Sequence, residues 1–322
     1  MKTALLFAGQ GSQTVGMGRD LCEKYEVARR LFADANKVLG FDLQKICFEG
    51  PPDVLTKTDN AQPGIFVTSL VCWAVLRERI PMLKFEATAG LSLGEFTALT
   101  AADAVGFDDG LRMVQARGRF MQEACDSTRG GMASILGLDE SILAEVCRET
   151  EVDVANINSP GQIVISGDRD KIAKAVELAK ARGAKRAIPL VVAGAYHSRL
   201  MESAKVKVAA ALGDLAIREP KVPVVSNVTA RPAASVGEIK ELLIRQVTSS
   251  VRWSESMQWL VTQGFTRFIE LGPGNVLSGL MKRIDKDLEI LSVSDCATLD
   301  ATLARIASTD RNNAPSRSEA SR

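Results

Sequence analysis

Residues 90–94 read G-L-S-L-G, a serine between two glycines in the spacing G-x-S-x-G. Such a serine can act as a nucleophile where a strand enters the turn and a helix leaves it, because the sharp reversal lifts the hydroxyl clear of the backbone. Residues 87–91 read as a short strand and 93–102 as a helix, so Ser92 stands at such a junction. The N-terminus of that helix, with the N–H of Leu93, suits a developing oxyanion. A tight turn capped by a serine accounts for the same residues without chemistry.

A serine nucleophile needs a base, and the chain has one histidine. It is His197, in G-A-Y-H-S-R-L, expected at the start of a helix. A lone histidine is usually an ordinary surface or core residue, but no other imidazole could activate Ser92. A lysine base has no local signature. A single imidazole predicts a single acid ionisation of the reaction, near the ordinary histidine range.

Two further features bear on the same chemistry. The loop G-Q-G-S-Q at 9–13 follows the first strand, at 3–8. No Gly-Lys-Ser/Thr follows it, and the third glycine of G-x-G-x-x-G would fall at Thr14, so neither phosphate-binding pattern applies. In a parallel sheet this loop presents backbone N–H groups at the edge where Ser92 sits, and one N–H from each loop would make a two-donor oxyanion hole. An ordinary glycine-containing turn is the alternative. Arg117 is the second feature. At about 100° per residue it falls on the apolar side of a helix over 111–125, between Met113 and Met121. A core-facing guanidinium needs an anion, and its planar fork fits a carboxylate. A salt bridge within the protein fits equally well.

The elements that must position these residues alternate strand and helix through the first half, with helices expected over 19–38 and, after Pro63, over 64–80. That alternation predicts a mostly parallel sheet covered on both faces. From residue 130 the order becomes β-α-β-β-α-β, with strands at 132–136, 152–157, 162–166 and 185–190 and helices at 140–149 and 172–182. This is the signature of a ferredoxin-like unit. It reads as an insertion: 1–128 and 194–307 form a large α/β catalytic subdomain, 129–193 the small one, and 308–322 a disordered tail.

Composition narrows the function classes. Lys+Arg 40 against Asp+Glu 39 leaves net +1, so no overall field recruits nucleic acid or an acidic membrane. The six cysteines form no C-x-x-C and are too dispersed for a zinc site or a disulfide scaffold, so they read as reduced thiols. No apolar run is long enough for a signal peptide or a membrane span, and a cytoplasmic protein is expected.

Eight stretches in order resemble malonyl-CoA:acyl carrier protein transacylases over about residues 1–305: A-G-Q-G-S-Q-T-V-G-M, G-L-S-L-G-E-F, Q-A-R-G-R-F-M, N-I-N-S-P-G-Q-I-V-I-S-G, G-A-Y-H-S-R-L-M, V-S-N-V-T-A, Q-V-T-S-S-V-R-W and E-L-G-P-G. The resemblance implies an α/β-hydrolase-like large subdomain with a ferredoxin-like insert. It implies Ser92 as nucleophile, His197 as base, and Gln10 with Leu93 as oxyanion donors. Arg117 would pair with the free malonyl carboxylate, and Gln246 would stand beside the imidazole, an uncharged oxygen replacing the acid of a Ser-His-Asp triad. Malonyl-CoA and acyl carrier protein are the implied partners, with no metal or cofactor and a monomer expected. Four positions depart from the common family pattern. Leu91 stands where His is frequent and Ala8 where Pro is, Tyr196 replaces Phe and Ser250 replaces Pro. The first leaves His197 as sole candidate base.

The reading is a two-step transfer of malonyl through a malonyl-serine, with a pathway role in fatty acid biosynthesis implied by the resemblance. Polyketide and malonate decarboxylase systems share these motifs. A serine esterase of the α/β-hydrolase type, its triad completed by an acid between Ser92 and His197, is a second class. A non-catalytic carrier-protein-binding module is a third, against which the intact Ser92 and His197 argue.

Overall fold

The computed structural model describes residues 1–312, with side chains through 309. Five strands, β1 (Lys2–Phe7), β2 (Ala87–Gly90), β7 (Val224–Val225), β8 (Phe265–Leu271) and β9 (Glu289–Val293), form one sheet in the order β7-β2-β1-β8-β9, and every pairing is parallel. Alternate residues of β1 enter different cores. Leu5 and Phe7 join the cluster that holds Phe32, Phe66 and Phe96, while Ala4 and Leu6 join that of Trp253, Phe268 and Met281. Both sheet faces are therefore covered, which is why these strands read as continuous apolar runs.

The remaining strands, β3 (Gly130–Leu136), β4 (Asp153–Ser159), β5 (Gln162–Asp168) and β6 (Arg186–Pro189), form an antiparallel sheet in the order β4-β5-β3-β6. Helices Glu140–Thr150 and Arg169–Ala181 complete the β-α-β-β-α-β order, and this unit has its own core around Ile135, Leu143, Val146 and Ile165. The fold is α/β, with a parallel sheet and a smaller ferredoxin-like unit.

Three local expectations need correction. The helix expected from 64 begins at Thr58 and carries Pro63 inside it, in Thr58–Arg79. Pro63 forfeits only its bond to the carbonyl of Asp59 in the first turn, and the N–H groups of Asn60 and Ala61 close that turn on the Lys57 carbonyl. The helix expected over 19–38 is two, Arg19–Lys24 and Glu26–Leu39, parted by an extended Tyr25. The last helix, Cys296–Asn312, runs past residue 308, where a tail was expected; 313–322 lie outside the described residues.

Parallel register decides where the loops meet. Phe7 pairs with Gly90 on one side and with Leu271 on the other, so three strands end together at one edge. The loop after β1, the turn at Ser92 and the Gly272-Pro273-Gly274 turn all leave from that edge, the usual place for a site in an open parallel sheet.

Candidate active site

Ser92 occupies a left-handed turn at φ 56°, between the end of β2 and the helix Gly94–Ala101. The flanking glycines make this reversal possible. A Cβ on Gly90 would overlap the Gly94 backbone, and one on Gly94 would run into the Phe7 carbonyl of β1. Any larger residue at either position would push the turn off the sheet. The Ser92 N–H donates to Asn227 Oδ1 at 2.6 Å, and the Asn227 amide in turn donates to the Gly90 carbonyl at 2.8 Å, so Asn227 braces both sides of the turn.

The serine hydroxyl lies 2.8 Å from His197 Nε2, and His197 Nδ1 lies 2.9 Å from the backbone carbonyl of Gln246. A carbonyl only accepts, so Nδ1 carries the proton and the Nε2 lone pair faces the hydroxyl. Burial, and then the charge of Arg117, push the imidazole down to about 4. This corrects the expected ionisation near the ordinary histidine range: at neutral pH the ring is neutral and able to take a proton. His197 itself, at φ 56°, sits just ahead of the short 3-10 turn Arg199–Met201, which runs directly into the helix Glu202–Asp214.

Arg117 projects from the helix Phe107–Asp126 into the interior and is 1% exposed. Its Nη2 donates to Ser92 Oγ and to Gln246 Oε1, both at 3.0 Å, and its Nη1 to Gln62 Oε1 at 2.7 Å. Nε has no acceptor, and Phe96 lies under the guanidinium at 5.6 Å. Among the described residues no carboxylate forms an ion pair with it. A direct salt bridge is thereby removed: the hydrogen-bond partners of this buried cation beside Ser92 are neutral, and the Glu95 carboxyl, across the Gln246 amide, acts on it only through space. Burial lowers its pKa to about 10, which still keeps it charged.

Gln246 is placed beside the imidazole as the resemblance implies, although the oxygen that meets Nδ1 belongs to its main chain. Its side chain instead bridges Arg117 to Glu95: Nε2 donates to Glu95 Oε2 at 2.7 Å and to the Ser92 carbonyl at 3.0 Å. Among the described residues no carboxylate stands behind the histidine, where the esterase reading needs one.

Backbone N–H groups of Gln10 and Leu93 have no protein acceptor among the described residues. The two loops touch, for a Cβ on Gly9 would come within 2.5 Å of the Leu91 carbonyl. Both loops thus meet beside Ser92, and among the described residues both N–H groups lack an acceptor. A cavity of about 560 Å³ opens over Ser92 and His197, lined by Gln10, Leu91 and Met121 on one side and by Asn156, Val164 and Leu190 of the small unit on the other.

Sequence reasoning missed Gln62, Glu95 and Asn227 as site residues. Glu95 lies next to the serine motif, but an acid in the first turn of a helix has an ordinary dipole explanation. Here it is buried, accepts from Gln246 and from the Asn227 N–H at 3.0 Å, and is pushed by burial up to about 7. It determines which way the Gln246 amide faces, since only Nε2 can meet an acceptor. Glu95→Ala should orphan both donors and cost at least about 1–3 kcal/mol. A chemical-denaturation midpoint equal to that of the unaltered chain would remove this role.

Comparison with known proteins places these features in a lineage. Residues 4–309 match the family described as acyl transferase domain. A malonyl CoA-acyl carrier protein transacylase of Bacillus subtilis (strain 168) is 46% identical over 307 residues, covering 94% of this chain and 96% of that protein. The crystal structure of an acyl carrier protein S-malonyltransferase from Vibrio cholerae superposes with a TM-score of 0.90 at 41% identity, over 94% of this chain and 99% of that one. A malonyl-transacylase solved in complex with a type II PKS acyl-carrier protein gives 0.91 at 38% identity, over 95% and 100%. The chain belongs to the acyl transferase domain family and is an acyltransferase.

Proposed function

We propose that the chain transfers malonyl from malonyl-CoA to the phosphopantetheine thiol of acyl carrier protein in fatty acid biosynthesis. His197 takes the Ser92 proton as Oγ attacks the thioester carbonyl. The N–H groups of Gln10 and Leu93 hold the oxyanion, and coenzyme A leaves with a proton returned by the imidazole. The carrier thiol then gives its proton to His197, attacks the malonyl-serine ester and restores Ser92. Gln246 holds the tautomer through its carbonyl.

The observation that carries the malonyl assignment is Arg117, a buried cation 3.0 Å from Ser92 Oγ whose hydrogen-bond partners are all neutral. An acyl group with a free carboxylate would supply the missing anion, and an acetyl group would not. The bacterial relatives named for malonyl transfer support the same choice. A type II PKS carrier in place of the fatty acid carrier is the second reading, supported by the complex among the structural neighbours.

Ser92, His197, Arg117, Gln10 and Leu93 all come from one chain, so the reaction asks for no second copy, and we take a monomer as its working state. All six cysteines are free, which suits a reducing cytoplasm. Among the described residues no helix is long and apolar enough to cross a membrane.

Arg117→Ala tests the assignment. Losing the partner of a buried charge costs about 2–5 kcal/mol, so malonyl transfer should fall by roughly two orders of magnitude or more in kcat/KM. Acetyl transfer should persist or rise. An equal loss for malonyl-CoA and acetyl-CoA would make Arg117 a structural residue and remove the malonyl assignment.

A further inference from the structure

The segment that carries the base also carries a hydroxyl that the reaction above leaves unused. Tyr196 immediately precedes His197, and its ring is buried. Its OH lies 2.7 Å from Thr58 Oγ1, and Gln10 Nε2 donates to both oxygens at 3.3 Å. Three segments distant in sequence therefore meet at one amide: the loop after β1, the first residue of the Thr58–Arg79 helix, and the chain returning from the small unit.

Thr58 is a firm anchor for this cluster. It is fully buried, and its N–H donates to Gln122 Oε1 at 3.3 Å on the helix that carries Arg117. Gln10 lies between Gly9, whose carbonyl accepts from the N–H and hydroxyl of Ser12, and Gly11, whose N–H donates to Gln13 Oε1 at 2.7 Å. Those bonds hold the loop without touching the Gln10 N–H itself, and the Gln10 side chain adds the contacts that tie this residue to Thr58 and Tyr196. An oxyanion donor displaced by a fraction of an ångström loses much of its value, because its contribution depends on being aimed before charge develops.

We propose that the Tyr196 hydroxyl is a positioning group for the oxyanion hole: together with Thr58 it holds the Gln10 side chain and so aims the Gln10 N–H at the oxygen that gains charge during acylation of Ser92. The same contact ties the donor loop to the segment bearing His197, so base and donor keep a common register. Burial pushes the phenol up to about 12, and the OH remains protonated throughout the working range. This assignment rests on the acyl-transfer reading above.

The test is Tyr196→Phe, which keeps the ring and removes one oxygen. Single-turnover acylation by malonyl-CoA should slow by roughly three- to tenfold, the worth of one net hydrogen bond, with KM and the acid limb of the pH profile unchanged. Gln10→Ala keeps the backbone N–H but loses the amide, so its effect and that of Tyr196→Phe should be less than additive when combined. Thr58→Val removes the same contact from the other side and should couple to Gln10→Ala in the same way, which decides the matter should Tyr196→Phe fail to fold. A wild-type rate in folded Tyr196→Phe, additive effects with Gln10→Ala, or a shift of the acid limb would each overturn the assignment while leaving the acyl-transfer reading intact. Absence of any acyl-Ser92 in the unaltered chain would overturn both.

Discussion

Ser92→Ala mixed with malonyl-CoA should show no mass increase by intact-protein spectrometry, where the unaltered chain gains one malonyl group. The variant should fold, because Ser92 already holds φ 56° and alanine at that angle is strained to a similar degree. The braces of the turn are also spared: Asn227 Oδ1 binds the backbone N–H of residue 92, and Glu95 and Gln246 bind around it. What disappears is the hydroxyl that both faces His197 Nε2 and receives Arg117 Nη2. Transfer to carrier protein should fall to the level of direct thioester exchange. An adduct of the same mass on the variant would move the nucleophile elsewhere.

The second large effect belongs to the base. His197→Ala should slow acylation by roughly 10²–10⁴, the usual worth of general-base help to a serine. A residual rate should survive, because the Gln10 and Leu93 donors and Arg117 are untouched. The pH dependence carries an additional signature. The reactive form is the neutral imidazole, whose pKa is lowered to about 4 by burial and by Arg117. Since protonation inactivates and the pKa is lowered, kcat/KM should stay level well below the ordinary histidine range and fall only as pH approaches about 4. In Arg117→Ala the limb should move up, though not fully back, because burial is the larger cause and remains. Acylation measured across pH on all three proteins decides this. A limb near the ordinary histidine value in the unaltered chain, or a limb retained in His197→Ala, would remove His197 as the titrating base.

How far these residues were legible differs by residue. Ser92 was visible because glycine is required on both sides of a turn pressed against β1, and that demand is written locally as G-x-S-x-G. His197 was visible by scarcity, and Arg117 by helical phase, since an arginine on an apolar stripe needs an explanation. The boundary at Thr58 was not visible, because Pro63 reads as a helix start while the first turn is closed by the Lys57 carbonyl and by packing.

The sequence by itself determined the alternation of strands and helices and the ferredoxin-like order of the small unit, and it singled out the serine and histidine proposed as nucleophile and base, all of which are expressed in local spacing or in residue counts. Only the tertiary structure decided what surrounds them. Parallel register brings Phe7, Gly90 and Leu271 to one edge, and burial then turns neutral amides into the partners of a charge. The side-chain roles of Gln62, Gln246 and Glu95, the main-chain oxygen behind His197 and the lowered histidine pKa all depend on distances between segments far apart in the chain. Desolvation and hydrogen-bond orientation act through space, and no periodicity along the sequence records them.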